Sequence, residues 1–344
     1  MGVAITDLLI RKEIEVKELE NKVLIVDAPM WLYQFLSSIR QRDGSLLTDS
    51  KGMVTSHLIG LFSRIPNLMK KGIKLGFVFD GKRPELKKKE VERRKTIKLE
   101  AEKRYKEAVK KKNIEEMKKY ASRTSRLNPE MIEEAKKLIR AFGLPVIQAP
   151  SEGEAQAAYI VKKGKAFAVA SNDADSLLFG ATKLIRNLSI LGKRKKVNKL
   201  TYSTIKPEII ELAKNINHLG IEQNQLIALS MLVGTDYNPG GIKGIGPKNA
   251  LKLVKQFKND FDELFKHVKW DEHFDFPWTD VYYFIKKVPV TDDYELEWKS
   301  PDPDKITKIL VEGHDFSEER IEKITGETAK EKKQKSQKGL GEFL

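Results

Sequence analysis

Short apolar runs alternate along the chain with stretches whose apolar positions recur at helical spacing. The strand-like runs are KVLIVD (residues 22–27), IKLGFVFD (73–80), LPVIQA (144–149) and FAVA (167–170). Helical patterns lie between them, at residues 28–40, 53–71, 130–142 and 151–164. Strands that alternate with helices predict an α/β fold, with a mainly parallel central sheet and helices on both of its faces.

Charge interrupts this pattern between residues 82 and 119, where 17 Lys or Arg accompany eight Glu. Strong helix formers and the absence of Gly and Pro from 85 to 119 predict a helix, and its few apolar positions predict that it is exposed. Further along, residues 183–202 favour short strands and residues 204–257 favour helices. Residues from 327 onward are polar and lysine-rich, which predicts a flexible tail.

Composition narrows the class of protein. The 344 residues carry a net charge of +15, which favours a polyanionic partner, nucleic acid before a membrane surface. Cysteine is absent, so disulfides, thiolate metal sites and cysteine nucleophiles are excluded. No apolar run approaches the roughly 18 residues that a membrane span needs, and there is no secretory signal pattern. We therefore expect an intracellular protein.

Acidic residues follow the apolar runs at the points where the runs end. The candidates are Asp27, Asp80, Glu152, Glu154, Asp173, Asp175 and Asp236. Because the carboxyl ends of neighbouring parallel strands meet at one edge of a sheet, these side chains are expected to converge there.

Taken singly, each acid also fits a structural role. Asp27 could cap the helix that follows it, and Asp80 precedes a glycine turn. Ser151 and Glu154 have the spacing of a capping box, and Asp236 could make an Asx turn. Asp173 and Asp175 fit this reading least, because two caps rarely fall two residues apart.

Convergence of the acids would require cations. At about 4 Å, two like charges repel by roughly 4 kcal/mol even at an effective dielectric constant of about 20. Oxygen ligands without His or Cys favour Mg²⁺, with Mn²⁺ as a substitute. A pair of such ions is the usual device for in-line attack on a phosphodiester. The sequence therefore predicts a two-metal site.

A glycine hairpin adds a DNA-binding element. The stretch GIKGIGPKNALKLVKQF (241–257) is typical of a helix-hairpin-helix, in which glycines let backbone N–H groups approach a phosphate. Gly244 and Gly246 would make that approach, and Lys243 and Lys248 would supply charge. An ordinary glycine turn between helices is the alternative.

Together these motifs resemble the flap endonuclease family, and an archaeal member in particular. The resemblance covers essentially the whole chain and rests on VLIVDAPMWLYQFL, FVFDGKRPELK, APSEGEAQAAYI, SNDADSLLFG, LVGTDY and GIKGIGPKNA, in that order. It implies a structure-specific nuclease that removes 5′ flaps in replication and repair, with 5′ exonuclease activity, in an archaeal cell. It also implies that the seven acids above are the ligands of two metal ions.

The resemblance implies further roles. Lys87 and Arg94 would contact the scissile phosphate from a helical arch, Tyr33 would stack at the cleavage site, and Gly2 would be exposed after removal of the initiator Met. A pocket for a one-nucleotide 3′ flap would involve Arg40, Thr55, Phe316 and Arg320. A potassium ion would bind main-chain oxygens of Gly241, Ile242 and Ile245. The ending QKGLGEFL resembles a sliding-clamp-binding box, with Gln337, Leu340, Phe343 and Leu344 as anchors.

The expected organisation is one nuclease domain over residues 1–326. Its parts are 1–81, the arch at about 82–130, an internal part at about 131–260 with the hairpin at 239–257, and 261–326. A clamp-binding tail would cover 327–344. Two other readings remain open at this point: a PIN-type ribonuclease, and a non-catalytic DNA-junction binder or clamp-tethered scaffold. The hairpin and the basic segment argue against the first, and the coincidence of seven acids argues against the second.

Overall fold

The computed structural model describes residues 5–190, 192–195, 202–324 and 326. Gly2 and the clamp-binding residues at 337–344 lie outside these described residues. No helix within the described ranges is long and apolar enough to cross a membrane.

A seven-stranded mixed sheet forms the centre of the protein. Its strands are β1 (Lys12–Glu13), β2 (Val23–Asp27), β3 (Lys74–Phe79), β4 (Val146–Gln148), β5 (Ala168–Ala170), β6 (Lys183–Arg186) and β9 (Glu208–Glu211). The order across the sheet is β1-β9-β6-β5-β2-β3-β4. The five strands from β6 to β4 run parallel. At one edge of the sheet β9 pairs antiparallel with β6, and β1 pairs antiparallel with β9. Two further strands, β7 (Gly192–Lys195) and β8 (Tyr202–Ile205), pair separately.

Helices make up most of the remaining structure. They are α1 (Ala28–Ser38), α2 (Ser56–Lys70), α3 (Lys88–Lys110), α4 (Ile114–Ala121), α5 (Pro129–Ala141), α6 (Gly153–Lys162), α7 (Asp175–Leu178), α8 (Leu212–Leu219), α9 (Gln223–Val233), α10 (Pro247–Phe257), α11 (Phe261–His267), α12 (Trp278–Lys286), α13 (Pro303–Thr307) and α14 (318–324). A single 3₁₀ turn, Glu85–Lys87, leads into α3, and a π-helical turn, Lys308–Glu312, follows α13.

Alternation along the strands creates two apolar cores. Leu24 and Val26 of β2 face one core, and Ile25 faces the other. The first core is completed by α1, α2, α5 and α13, and the second by α6, α9, α10, α11 and α12. Strands buried on both faces need a near-continuous apolar sequence, and β2 has one. The predicted α/β class, with a mainly parallel sheet covered on both faces, is confirmed.

Two details of the prediction are wrong. Residues 204–257 are not helical throughout, because β9 (Glu208–Glu211) pairs with β6 in the main sheet. The charged segment is not one helix, because α3 ends at Lys110 and the chain turns at Lys112, which has a positive φ of 53°. The side chain of Asn113 then caps α4 by accepting a hydrogen bond from the N–H of Glu116. Helices α3 and α4 pack against each other, so the segment is a helical hairpin.

A glycine permits the close approach of α1 and α2. A Cβ atom added at Gly60 of α2 would lie 2.1 Å from Cγ of Phe35 on α1, far inside van der Waals contact. The ring of Phe35 is buried, so it has little room to move. The absence of a side chain at position 60 therefore sets the distance between the two helices, and α1 begins at the carboxylate of Asp27.

We expect Gly60→Ala to lower the free energy of unfolding by about 1–3 kcal/mol, as overpacking does, although alanine alone would favour the helix. Chemical denaturation would measure the loss. Phe35→Leu supplies the control, because a smaller side chain should relieve the clash. Strictly additive effects in the double variant would contradict this account of the packing.

Candidate active site

The acidic residues meet at one edge of the parallel sheet. Asp27 is the last residue of β2, Asp80 directly follows β3, and Asp173 and Asp175 follow β5. In the sheet β2 lies between β3 and β5, so these three strands are neighbours. The edge expected from the order of the motifs is therefore formed by adjacent strands.

A serine links two of the acids. The hydroxyl oxygen of Ser171 lies 3.4 Å from Oδ2 of Asp27 and 3.3 Å from Oε1 of Glu154. The same oxygen accepts a hydrogen bond from the N–H of Asp173 at 3.1 Å. One hydroxyl has one proton, so it can donate to only one of the two carboxylates at a time. Asp27 also caps α1 by accepting a hydrogen bond from the N–H of Met30, so the capping role expected from the sequence is present within the acidic cluster.

The start of α6 turns two glutamates toward the site. The helix begins at Gly153 with Glu152 as its N-cap residue and has no side-chain cap, so the capping box expected from Ser151 and Glu154 does not form. The N–H of Gly153 donates instead to Oδ1 of Asp80 at 2.8 Å. A Cβ atom at Gly153 would lie 2.9 Å from that oxygen, which explains the glycine.

Two cations from the arch enter the cluster. Nζ of Lys87 lies 2.5 Å from Oε2 of Glu152 and 3.3 Å from Oδ2 of Asp236. Nη2 of Arg94 lies 2.6 Å from Oδ1 of Asp236. Asp236 therefore makes ion pairs rather than serving only as a turn residue. Nζ of Lys87 also lies 5.3 Å from the ring centre of Tyr237, which is buried.

Burial and the close approach of the acids shift the pKa values of several groups in the cluster. Burial, with the carboxylates of Asp80 and Asp173, raises the pKa of Asp27 to about 7. Burial, with the acids at 173, 175 and 27, raises the pKa of Glu154 well above its usual value. Burial also raises the pKa of Glu152, although Lys87 opposes the shift. For Lys87, burial would lower the pKa, but Glu152 and Asp236 outweigh it and keep the pKa above its usual value.

The donor set suits hard divalent cations. Its side chains are carboxylates, whose oxygens Mg²⁺ and Mn²⁺ prefer, and burial together with neighbouring acids raises the pKa of Asp27, Glu152 and Glu154, so a cation among them would be favourable. Among the described residues no three acidic or histidine side chains already have the arrangement of a metal cage. Instead, Lys87, Arg94 and Ser171 lie between the acids.

The glycine hairpin presents an exposed basic turn before α10. Gly244 has a φ of +86°, which favours glycine, and Lys243 and Lys248 are exposed beside it. A Cβ atom at Gly246 would meet no protein atom within 4 Å, so the surrounding fold does not demand glycine there. Gly241 is different: with φ +59°, a Cβ would lie 2.3 Å from the backbone of Val233.

The main-chain atoms proposed for potassium lie inside this turn. The carbonyl of Ile242 accepts a hydrogen bond from the N–H of Ile245 at 3.0 Å, and the N–H of Ile242 donates to the carbonyl of Leu232 at 2.8 Å. Gly241, Ile242 and Ile245 thus belong to one compact loop closed against the end of α9.

Tyr33 lies on α1 and is 40% exposed. Nζ of Lys98 from the arch lies 5.0 Å from the centre of that ring. Tyr33 is therefore a partly exposed aromatic side chain in contact with the arch, the type of residue on which a base can stack.

The residues expected at the 3′-flap pocket come from two segments that are joined. Nδ1 of His314 lies 2.8 Å from Oδ2 of Asp49, and the N–H of Ser50 donates to Asp315 at 2.8 Å. These contacts fasten the loop before Thr55 to the segment that carries Phe316. Thr55 is buried, the ring of Phe316 packs edge-on against Phe62, and Arg320 is exposed.

Arg40 uses much of its hydrogen-bonding capacity within the protein. Its guanidinium donates to the carbonyls of Leu36 and Gly44 at 2.8 Å and to the hydroxyl of Ser125 at 2.8 Å. The side chain therefore joins the end of α1 to the end of the arch, and any contact with DNA would use its remaining N–H bonds.

Sequence reasoning missed Ser171 and Tyr237. Ser171 directly follows β5 and precedes Asp173, so its place at the end of a buried strand was a usable signal. Tyr237 follows Asp236, but its contact with Lys87 joins residues 150 positions apart, and the sequence carries no sign of that pairing.

An acidic sheet edge reached by basic side chains, in a chain that also presents an exposed basic glycine turn, is the arrangement expected of a nuclease that acts on phosphodiesters. Two family models match the chain: the XPG N-terminal domain over residues 3–101 and the XPG I-region over residues 143–236. The matched ranges contain all seven acids. They also contain Lys87, Arg94 and Tyr33.

Similar proteins make the assignment specific. A flap endonuclease 1 of Pyrococcus horikoshii is 52% identical over 93% of this chain and 92% of its own length. The solved structure of flap endonuclease-1 from Methanococcus jannaschii has a TM-score of 0.76 at 39% identity and covers 97% of this chain and 100% of its own. The catalytic core of Rad2, solved with a DNA substrate, has a TM-score of 0.70 at 25% identity, covering 95% and 100%.

The chain belongs to the flap endonuclease family and is a structure-specific 5′ flap nuclease. The predicted family, enzyme class and activity are confirmed, and the PIN-type ribonuclease and the non-catalytic scaffold are set aside. Nucleases of this family depend on metal ions.

Asp27→Asn tests the electrostatics of the site without DNA. The folded protein retains a proton on Asp27 that the unfolded chain releases between about pH 4 and pH 7, so this carboxyl destabilises the metal-free fold progressively as pH rises through that window. Asparagine keeps the helix cap and removes the charge. In chelator near pH 8 the variant should melt higher, by about 1–2 °C for each kcal/mol of repulsion relieved in a chain of this length.

Thermal melts from pH 4 to pH 8 would measure the difference between the two proteins. Mg²⁺ should then stabilise the wild type more than the variant, since a bound ion favours the folded state. If the melting temperatures of the two proteins changed in parallel with pH in chelator, the predicted destabilisation by ionised Asp27 would be contradicted.

Proposed function

We propose that the chain cuts branched DNA at the base of a 5′ flap by hydrolysis, using two Mg²⁺ ions or Mn²⁺ in their place. The ligands are the seven acids Asp27, Asp80, Glu152, Glu154, Asp173, Asp175 and Asp236. The observation that carries the proposal is their convergence from separate stretches of chain, with the pKa of Asp27 raised to about 7. Divalent ions in this position would activate the attacking water and offset charge on the phosphate.

Lys87 and Arg94 bind the scissile phosphate in this proposal. Both already point into the acidic cluster, within 3.3 Å and 2.6 Å of Asp236. Their positive charge, held in a partly buried site, would stabilise the charge that develops on the phosphate oxygens. The partly exposed Tyr33 would stack on the base next to the cut, and Gly2 would take the role of the family's residue that is exposed after removal of the initiator Met.

DNA on either side of the cut would be held by two elements. The hairpin offers the backbone N–H groups near Gly244 and Gly246 and the charges of Lys243 and Lys248, and this mode of binding reads no bases. Potassium at Gly241, Ile242 and Ile245 would rigidify the loop. The pocket of Arg40, Thr55, Phe316 and Arg320 would receive a one-nucleotide 3′ flap.

Membership of the family also supports proposals for the cellular location, a second activity and a protein partner. We place the protein inside an archaeal cell, with 5′ exonuclease activity beside flap cutting. The domain division into residues 1–326 and a tail at 327–344 belongs to the same proposal. The tail would bind a sliding clamp of the proliferating cell nuclear antigen type through Gln337, Leu340, Phe343 and Leu344, since a few anchor side chains carry most of the energy of such binding.

A cleavage panel tests the nuclease assignment. Double-flap DNA, plain duplex and an RNA strand would each be incubated with Mg²⁺ and with chelator. We expect the double flap to be cut in Mg²⁺ and to remain intact in chelator. Asp175→Asn should retain DNA binding yet slow single-turnover cleavage by about 100-fold or more, because a ligand is lost. The exposed Glu130→Gln is the matched control. Wild-type rates in Asp175→Asn would refute the ligand assignment.

Removal of residues 337–344 tests the tail. The truncated protein should cut double-flap DNA at the full basal rate and lose stimulation by the clamp, because the anchors are gone while the nuclease domain is intact. Cleavage with increasing clamp concentration measures both. A clamp response that survives the truncation would place the contact elsewhere.

A further inference from the structure

A buried glutamate lies at the base of the arch, one turn before Arg94. Glu90 is in the first turn of α3, and its side chain is only 3% exposed. It is outside the set of seven acids at the edge of the sheet. A carboxylate at such a site is unfavourable unless it is paired.

The partners of Glu90 are two arginines of the same helix. Nε of Arg94 donates to Oε1 of Glu90 at 2.6 Å, and Arg93 donates to both carboxylate oxygens, at 2.6 Å and 2.8 Å. Glu90 precedes Arg94 by four residues, the favourable order for such a pair on a helix. Burial would raise the pKa of Glu90, but the two guanidinium groups outweigh it and hold the pKa below its usual value.

The contact with Glu90 determines where the terminal nitrogens of Arg94 point. The guanidinium group is planar and rigid, so fixing the direction of its Nε–H also fixes where its terminal nitrogens point. With Nε held by Glu90, the Nη2 atom lies 2.6 Å from Oδ1 of Asp236. Arg94 is thus held at one end by its own helix and reaches the acidic cluster with the other.

We propose that Glu90 is a positioning residue, which orients the guanidinium of Arg94 toward the scissile phosphate. The inference rests on the role given to Arg94 under the proposed function. Without Glu90 the long side chain of Arg94 would sample other rotamers, and part of the binding energy of the phosphate would be spent in ordering it. The loss should fall on the chemical step rather than on DNA binding.

A double-mutant cycle tests the proposal. Glu90→Gln keeps the shape of the side chain and removes its charge, and Glu92→Gln, exposed on the same helix, is the control. With double-flap DNA in Mg²⁺, Glu90→Gln should slow single-turnover cleavage by about tenfold, the effect expected when a hydrogen bond to a charged group is weakened. The DNA dissociation constant, measured by anisotropy in chelator, should stay unchanged. In an Arg94→Ala background, Glu90→Gln should have no further effect.

The outcomes separate this inference from the proposed function. A wild-type rate for Glu90→Gln, while Arg94→Ala is slow, would overturn only the role of Glu90. An equal loss from Glu90→Gln in the Arg94→Ala background, or a loss of binding with an unchanged single-turnover rate, would also overturn it. A wild-type rate for Arg94→Ala would refute the role of Arg94 itself and the inference with it. Melting curves of all variants identify any loss of folded protein, and rescue of the rate by Glu90→Asp would support an ionic contact.

Discussion

Repulsion between carboxylates at one edge of the sheet is the constraint on which the site depends. Parallel strands bring their carboxyl ends together, so the fold itself concentrates Asp27, Asp80, Asp173 and Asp175. The protein offsets this charge with the hydroxyl of Ser171, the N–H groups at the starts of α1 and α6, and the cations of the arch. A rigid two-sided core is what keeps the acids in place, because packed strands cannot move apart to relieve them.

The core of the fold was predictable because burial on both faces leaves a clear mark. The strands β2, β3 and β5 are apolar almost without interruption, and their helices have distinct amphipathic periods. The strand β9 was missed because EIIE is short and adjoins a helix, and its strand character comes from pairing with β6, which no local pattern encodes. The turn at Lys112 was missed because neither glycine nor proline marks it, and a lysine adopts the left-handed conformation there.

The acids of the site were predictable for the same reason as the strands, since each follows a recognisable run. Their partners were harder to predict. The role of Tyr237 comes from a contact with Lys87, 150 positions away. Ser171 at the end of β5 and Glu90 four residues before Arg94 carry local signals, but a serine or a glutamate in isolation fits a solvated surface equally well. The expected capping box at the start of α6 shows the converse: Ser151 and Glu154 have its spacing, but the helix begins one residue later than that box requires, and Glu154 contacts Ser171 instead.

The arch contributes cations to the acidic cluster through its first turns, from Lys87 to Arg94, whereas the hairpin of α3 and α4 extends well beyond them. The two portions are therefore under different evolutionary constraints. Insertions or deletions near the bend at 111–113 would alter the reach of the hairpin without moving either cation. Related chains should accordingly differ in length at that bend while keeping a fixed number of residues between Asp80 and Arg94.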